Sequence, residues 1–119
     1  MFVLDSVTVA PLRPDGAQAQ IDQWLATVPV DEARAMLIES AFVIVLAPSD
    51  VSLDRIAAGC VCCIGNVVLR VRLTQLLRNS RPRHLLLLLA SAEHLDRIDT
   101  QLRDGSLGFL ATRIHLEQA

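Results

Sequence analysis

The chain has 119 residues, 52% of them hydrophobic and 3% aromatic, with a formal net charge of −2 at pH 7. That length is one domain with enough apolar material for a core, and the core must be aliphatic, because Phe2, Phe42, Phe109 and Trp24 are the whole aromatic complement. The acidic balance excludes the basic footprint expected of a nucleic-acid-binding domain or of one that binds an anionic membrane surface.

Residues 2–9 carry Val3, Val7, Thr8 and Val9 and run towards Pro11 and Pro14, which predicts a strand entering a loop. The apolar start meets Asp5 and Ser6 with no basic segment ahead of it, so no secretory leader is expected. Ala17, Ile21, Trp24, Leu25 and Val28 recur at three- and four-residue steps, one face of a helix stopped near Pro29. Asp31 is placed as the cap of a short turn holding Glu32 and Arg34. Residues 41–47, AFVIVLA, form an unbroken apolar run closed by Pro48, the pattern of a strand buried on both faces. Ser49 or Asp50 then starts a short helical turn through Leu53 and Ile56, delivering the chain to Gly59.

Past Gly65 and Asn66, Val68, Leu69, Leu73, Leu76 and Leu77 keep a helical rhythm up to Asn79 and Ser80, before Pro82. The local basic stretch of Arg70, Arg72, Arg78, Arg81 and Arg83 reads as a solvated face and exit loop. Residues 84–90, HLLLLLA, are a second continuously apolar strand, headed by His84 in a structural role. The longest apolar runs, residues 41–47 and 85–90, are far short of the roughly 20 residues that a bilayer crossing needs, so a cytoplasmic chain is expected. A helix over 93–102 turns Leu95, Ile98 and Leu102 inward and Glu93, Asp96 and Asp99 to solvent, and Gly105 ends it. Residues 110–116 alternate as a last strand, with Leu110, Thr112, Ile114 and Leu116 on one side. Alternating strands and helices, two of the strands apolar on both faces, predict an α/β domain: a three-layer, mainly parallel sheet flanked by helices.

The three cysteines of the chain, Cys60, Cys62 and Cys63, fall within four positions, between Gly59 and Gly65. In a reducing compartment such a cluster points to metal binding or thiol chemistry ahead of a structural disulfide. Soft thiolates select zinc and other thiophilic ions, and a tetrahedral site would take a fourth ligand from His84, His94, water or a second chain. The plain alternative is that the cysteines pack as small hydrophobes. A third reading uses Cys60 and Cys63 as a redox pair at CxxC spacing, but without the strand-then-helix setting of a thioredoxin-like motif.

The segment AAGCVCCIGNVVLRVRLTQLLRNSRPRHLLLLLASAEHL resembles the centre of CobW-type GTP-dependent metal chaperones, in which a GCxCC element precedes a helix, a basic turn and an apolar strand. The resemblance implies a P-loop NTPase-like fold, here truncated, and assigns Cys60, Cys62 and Cys63 as metal ligands. It also marks what has changed. Where that family carries GxxGxGKT, this chain has PLRPDGAQ, residues 11–18. Gly16 is retained, Pro11 and Pro14 replace glycines, Ala17 stands for the lysine and Gln18 for the magnesium-binding hydroxyl residue. Proline has no N–H to offer a phosphate, and the missing lysine removes the charge that meets the terminal phosphates. The acidic tetrad has become Leu89, Ala90, Ser91 and Ala92, and no guanine-specifying segment is expected. The resulting expectation is a degenerate domain without nucleotide or GTPase activity, binding a metal ion, most plausibly zinc. The competing expectation is an interaction module or homodimer with structural cysteines, using Leu107, Phe109 and Leu110 for contact.

Overall fold

A computed structural model describes residues 2–40, 43–57, 67–90, 92 and 95–117. Five strands, β1 (Phe2–Pro11), β2 (Arg34–Glu39), β3 (Val51–Ile56), β4 (His84–Leu89) and β5 (Phe109–Leu116), form one sheet in the order β3-β2-β4-β1-β5. Every pairing is parallel. Among the described residues three helices cover it: α1 (Ala17–Thr27), α2 (Val67–Ser80) and α3 (Leu95–Asp104). The result is a three-layer α/β fold of the Rossmann and P-loop kind, as the alternating pattern predicts.

Strand β4 explains the layering. Its leucines alternate: Leu85, Leu87 and Leu89 enter the core beneath α2 and α3, while Leu86 and Leu88 enter the core beneath α1. A central parallel strand packed on both faces needs apolar side chains on both parities, and five consecutive leucines supply them. Under α2 and α3 these meet Leu69, Leu73 and Leu77, then Ile98 and Leu102. Under α1 they meet Ile21, Trp24, Met36 and Ile38.

Two bulges bend the entry edge of the sheet. The N–H groups of Asp5 and Ser6 both donate to the Arg83 carbonyl, at 2.8 and 3.2 Å, and those of Arg83 and His84 both donate to the Ala33 carbonyl, at 2.8 and 3.2 Å. Two successive donors on one acceptor insert an extra residue and reverse side-chain parity. Leu4 and Val7, an odd number apart, therefore lie in the same core. The neighbouring β5 follows: Phe109 and Ala111 face that core, and so do Ile114 and Leu116. The simple alternation predicted for 110–116 is corrected accordingly, and Leu110 is exposed.

The described part of the apolar run 41–47, residues 43–47, is not a strand, and residues 41 and 42 lie outside the described residues. The buried strand is β2, RAMLIE, all six residues of which are buried. Its polar ends are paired there: Arg34 with Asp50 at 2.5 Å, although its buried Nε has no partner among the described residues, and the Glu39 carboxylate accepts the Ala90 N–H at 2.6 Å. Arg34 thus belongs to a strand, not to a turn capped by Asp31. Of the described part of the apolar run, Val45 is buried while Ile44 and Leu46 are 88% and 77% exposed. The Gln18 carboxamide takes both backbone groups of Leu46, accepting from its N–H at 2.7 Å and donating to its carbonyl at 2.9 Å. This stretch is therefore tied to α1.

The expected helical turn over 49–56 is strand β3. As an edge strand it pairs with β2 alone among the described residues, and it carries charge outward. Asp54 holds Arg72 of α2 in a two-point ion pair, and Arg55 donates to the Val43 carbonyl at 2.6 Å. The contact surface expected at Leu107 and Phe109 is also corrected, since these are 1% and 0% exposed and belong to the core.

Gly105 closes α3 with φ 78°, a left-handed conformation that only glycine adopts without strain. An added Cβ would also sit 3.2 Å from Leu110 Cδ2. Gly105→Ala is expected to destabilise the fold by about 1–2 kcal/mol, read by urea unfolding through the fluorescence of Trp24, the only tryptophan.

Candidate functional site

In open parallel sheets, ligands bind outside the carboxyl ends of the strands. Four connections leave that edge here: after β1, after β2, after β3 and after β4. Cys60, Cys62 and Cys63 belong to the one between β3 and α2, which departs from Ile56 and returns at Val67. The three cysteines lie outside the described residues, as does His94.

The connection after β1 is described, and its backbone is committed to the protein itself. Leu12 donates its N–H to the Leu89 carbonyl at 2.5 Å, Arg13 to the Gln20 side-chain oxygen at 2.9 Å, and Gly16 to the Arg13 carbonyl at 2.9 Å. Gln20 also donates to the Pro11 carbonyl at 2.8 Å, so its buried carboxamide fastens the loop at two points. Pro11 and Pro14 have no N–H. A phosphate cradle needs several unpaired N–H groups converging on one point. Here five of residues 11–16 have none left to give. Gln18, two positions past this loop, is engaged with Leu46.

A second cluster lies at the opposite, entry edge of the sheet, where the bulges gather Asp5, Ser6, Glu32, Arg83 and His84. The His84 ring is 2% exposed. Its Nδ1 is 2.7 Å from the Ser6 hydroxyl and its Nε2 2.8 Å from Glu32 Oε1. Ligand atoms of Asp5, Glu32 and His84 lie within 4.8 Å of one another. The space between the two carboxylates is spanned by a cation of the chain itself: Arg83 reaches Asp5 at 2.6 Å and Glu32 at 3.0 Å. Arg83 offsets one of the two acidic charges, and a metal there would have to displace a guanidinium that bridges both acids. A hydroxyl, an imidazole and a carboxylate in line also resemble a hydrolytic triad. With Ser6 at 5% and His84 at 2% exposure, the row serves as a fastening between β1, β4 and the turn before β2.

Sequence reasoning identifies His84 as structural but not its partners. Ser6 is 78 positions away and Glu32 is 52 positions away, and they meet only through the sheet register. On the α1 side, over β1 and β5, a cleft of about 610 Å³ is lined by Thr8, Gln20, Trp24, Leu86, Ile114 and His115. None of the described helices is long and apolar enough to cross a membrane. No family model, no curated protein and no solved structure matches the chain.

Proposed function

We propose that the chain is an α/β metal-binding domain that works without nucleotide hydrolysis, taking a thiophilic ion, zinc first, through Cys60, Cys62 and Cys63. One observation carries the reading: three cysteines within four positions occupy a connection that leaves the carboxyl edge of the sheet and enters α2. That edge is where this fold class presents ligand-binding loops, and thiolates are the donors that soft and borderline ions prefer. The first turn of α2 carries no acidic residue, so the helix dipole favours thiolate over thiol nearby. The commitment of the loop after β1 to Gln20, Leu89 and Arg13 supports the absence of triphosphate binding.

Purified reduced protein is expected to carry close to one zinc ion per site, measured by elemental analysis. The Cys60→Ser/Cys62→Ser variant should lose it by about tenfold or more, since three-sulfur coordination cannot be kept with one sulfur. Unchanged metal content in that variant would refute the assignment. Tight magnesium-dependent GTP binding by the intact chain would refute the nucleotide-free half.

A further inference from the structure

The two faces of the sheet are covered unequally. Among the described residues α2 and α3 pack on one face and α1 alone on the other, because α1 carries the chain from β1 to β2, away from β5. The part of that second face formed by β1 and β5 holds the cleft of about 610 Å³, a volume within the range of small-molecule sites.

The sheet register builds the floor of the cleft. Parallel partners share a face, so Leu86, Thr8 and His115 form one row across β4, β1 and β5, and Leu88 and Ala10 start the next. The Glu117 N–H donates to the Val9 carbonyl at 2.8 Å, which carries the ladder one residue further and brings Glu117 into the lining. Thr8 and Ala10 are the small members of these rows. β1 is therefore a trough between the leucines of β4 and the longer side chains of β5, and Gln23 and Trp24 of α1 wall it.

Most buried polar groups of this fold are committed to partners, and those around the cleft are not. Gln20 fastens the loop after β1, and Thr27 donates to the Trp24 carbonyl at 2.7 Å. By contrast the side chains of Thr8, Gln23, His115 and Glu117 have no partner among the described residues. Thr8 is only 8% exposed, and the buried Trp24 indole N–H likewise has no acceptor. A buried polar group without a partner is costly and uncommon in native proteins, and here two border one cleft. The charge is one-sided as well: Glu117 is a carboxylate, and no arginine lines the cleft among the described residues.

We propose that this cleft binds a small organic cation: an amine joined to an apolar, ring-sized body that also carries a hydrogen-bond acceptor. The body lies on Leu86, Leu88 and the indole. Its acceptor answers a buried donor, the Thr8 hydroxyl or the indole N–H, and the ammonium faces Glu117. An anion of the same size would meet that carboxylate with no guanidinium to offset it. The proposal is independent of the cysteine site.

Phenylalaninamide is the probe, with phenylpropionamide as the same body without the amine and phenylpropionate as its anionic counterpart. Nuclear magnetic resonance titrations follow the indole N–H signal, which is unique because Trp24 is the only tryptophan. Phenylalaninamide is expected to move that signal saturably, phenylpropionamide to bind about fivefold more weakly, and phenylpropionate to leave the signal in place at the same concentrations. Glu117→Gln, at an exposed position, should erase the preference for the amine while leaving phenylpropionamide binding unchanged. Glu117→Asp, which keeps the carboxylate, should retain the preference, and far-UV circular dichroism checks the fold of both variants. No movement with phenylalaninamide, equal movement with all three probes, or a preference that survives Glu117→Gln would overturn the proposal.

Discussion

Truncating Leu87 to alanine is expected to lower the unfolding free energy by about 3 kcal/mol, within the 2–5 kcal/mol range for buried leucines. Leu87 is 0% exposed and sits in the middle of β4, between Val9 of β1 and Leu37 of β2. Its side chain points into the core shared by α2 and α3. Neighbours on three elements border the void, and the sheet register keeps them from collapsing into it. For a domain whose whole stability is about 5–15 kcal/mol, that is a large share. The Leu110→Ala variant, at an exposed position of β5, should change stability by less than about 1 kcal/mol. Chemical denaturation followed at Trp24 measures both, and equal effects would mean that β4 is not the buried centre of the sheet.

The second large effect is expected at His84. His84→Ala removes the bonds to Ser6 and Glu32 at once, leaves a buried hydroxyl without its partner, and opens a void at the head of β4. Combined loss of hydrogen bonding and packing should cost about 2–4 kcal/mol. Glu32→Gln keeps the shape and a bond to the ring while dropping the ion pair with Arg83, whose side chain is 56% exposed, so it should cost about 1 kcal/mol or less. If the glutamine variant were as damaging as the alanine variant, charge rather than burial would govern the cluster. Metal-dependent stabilisation of the parent at this cluster, lost in His84→Ala, would contradict the role given to Arg83.

The layered fold is legible because its strongest signals are local. Five leucines in a row after His84, and the three- and four-residue spacing of Ile21 with Trp24 and of Leu69 with Leu73, Leu76 and Leu77, each specify an element without reference to any other. The misreadings have a common cause. Arg34 and Glu39 disguise β2 as polar, because the partners that let them be buried, Asp50 and the Ala90 N–H, lie elsewhere in the chain. The apolar run after it looks like the better strand, yet Gln18 claims its backbone from a helix 28 positions earlier. Strand β3 hides because its charges serve as ion-pair and carbonyl partners across the edge. The parity reversal in β5 is set by bulges made from the Arg83 and Ala33 carbonyls, and nothing within residues 109–116 encodes it. As for the site, the cysteine spacing and the two prolines of residues 11–18 stand in the sequence directly. That Gln20 consumes the loop's donors could be seen only in three dimensions.

The strand order also shapes how the chain must come together. β1 and β2 are both made early, but they are not neighbours in the sheet: β4 lies between them and pairs with each. During synthesis the first of these would have no neighbour to zip against until residues 84–89 emerge. Late, long-range closure of this kind slows assembly and leaves sticky, half-formed species exposed to one another. Those six residues are thus a keystone in time as well as in space, and a ribosome stalled before them would hold a chain that cannot yet be folded.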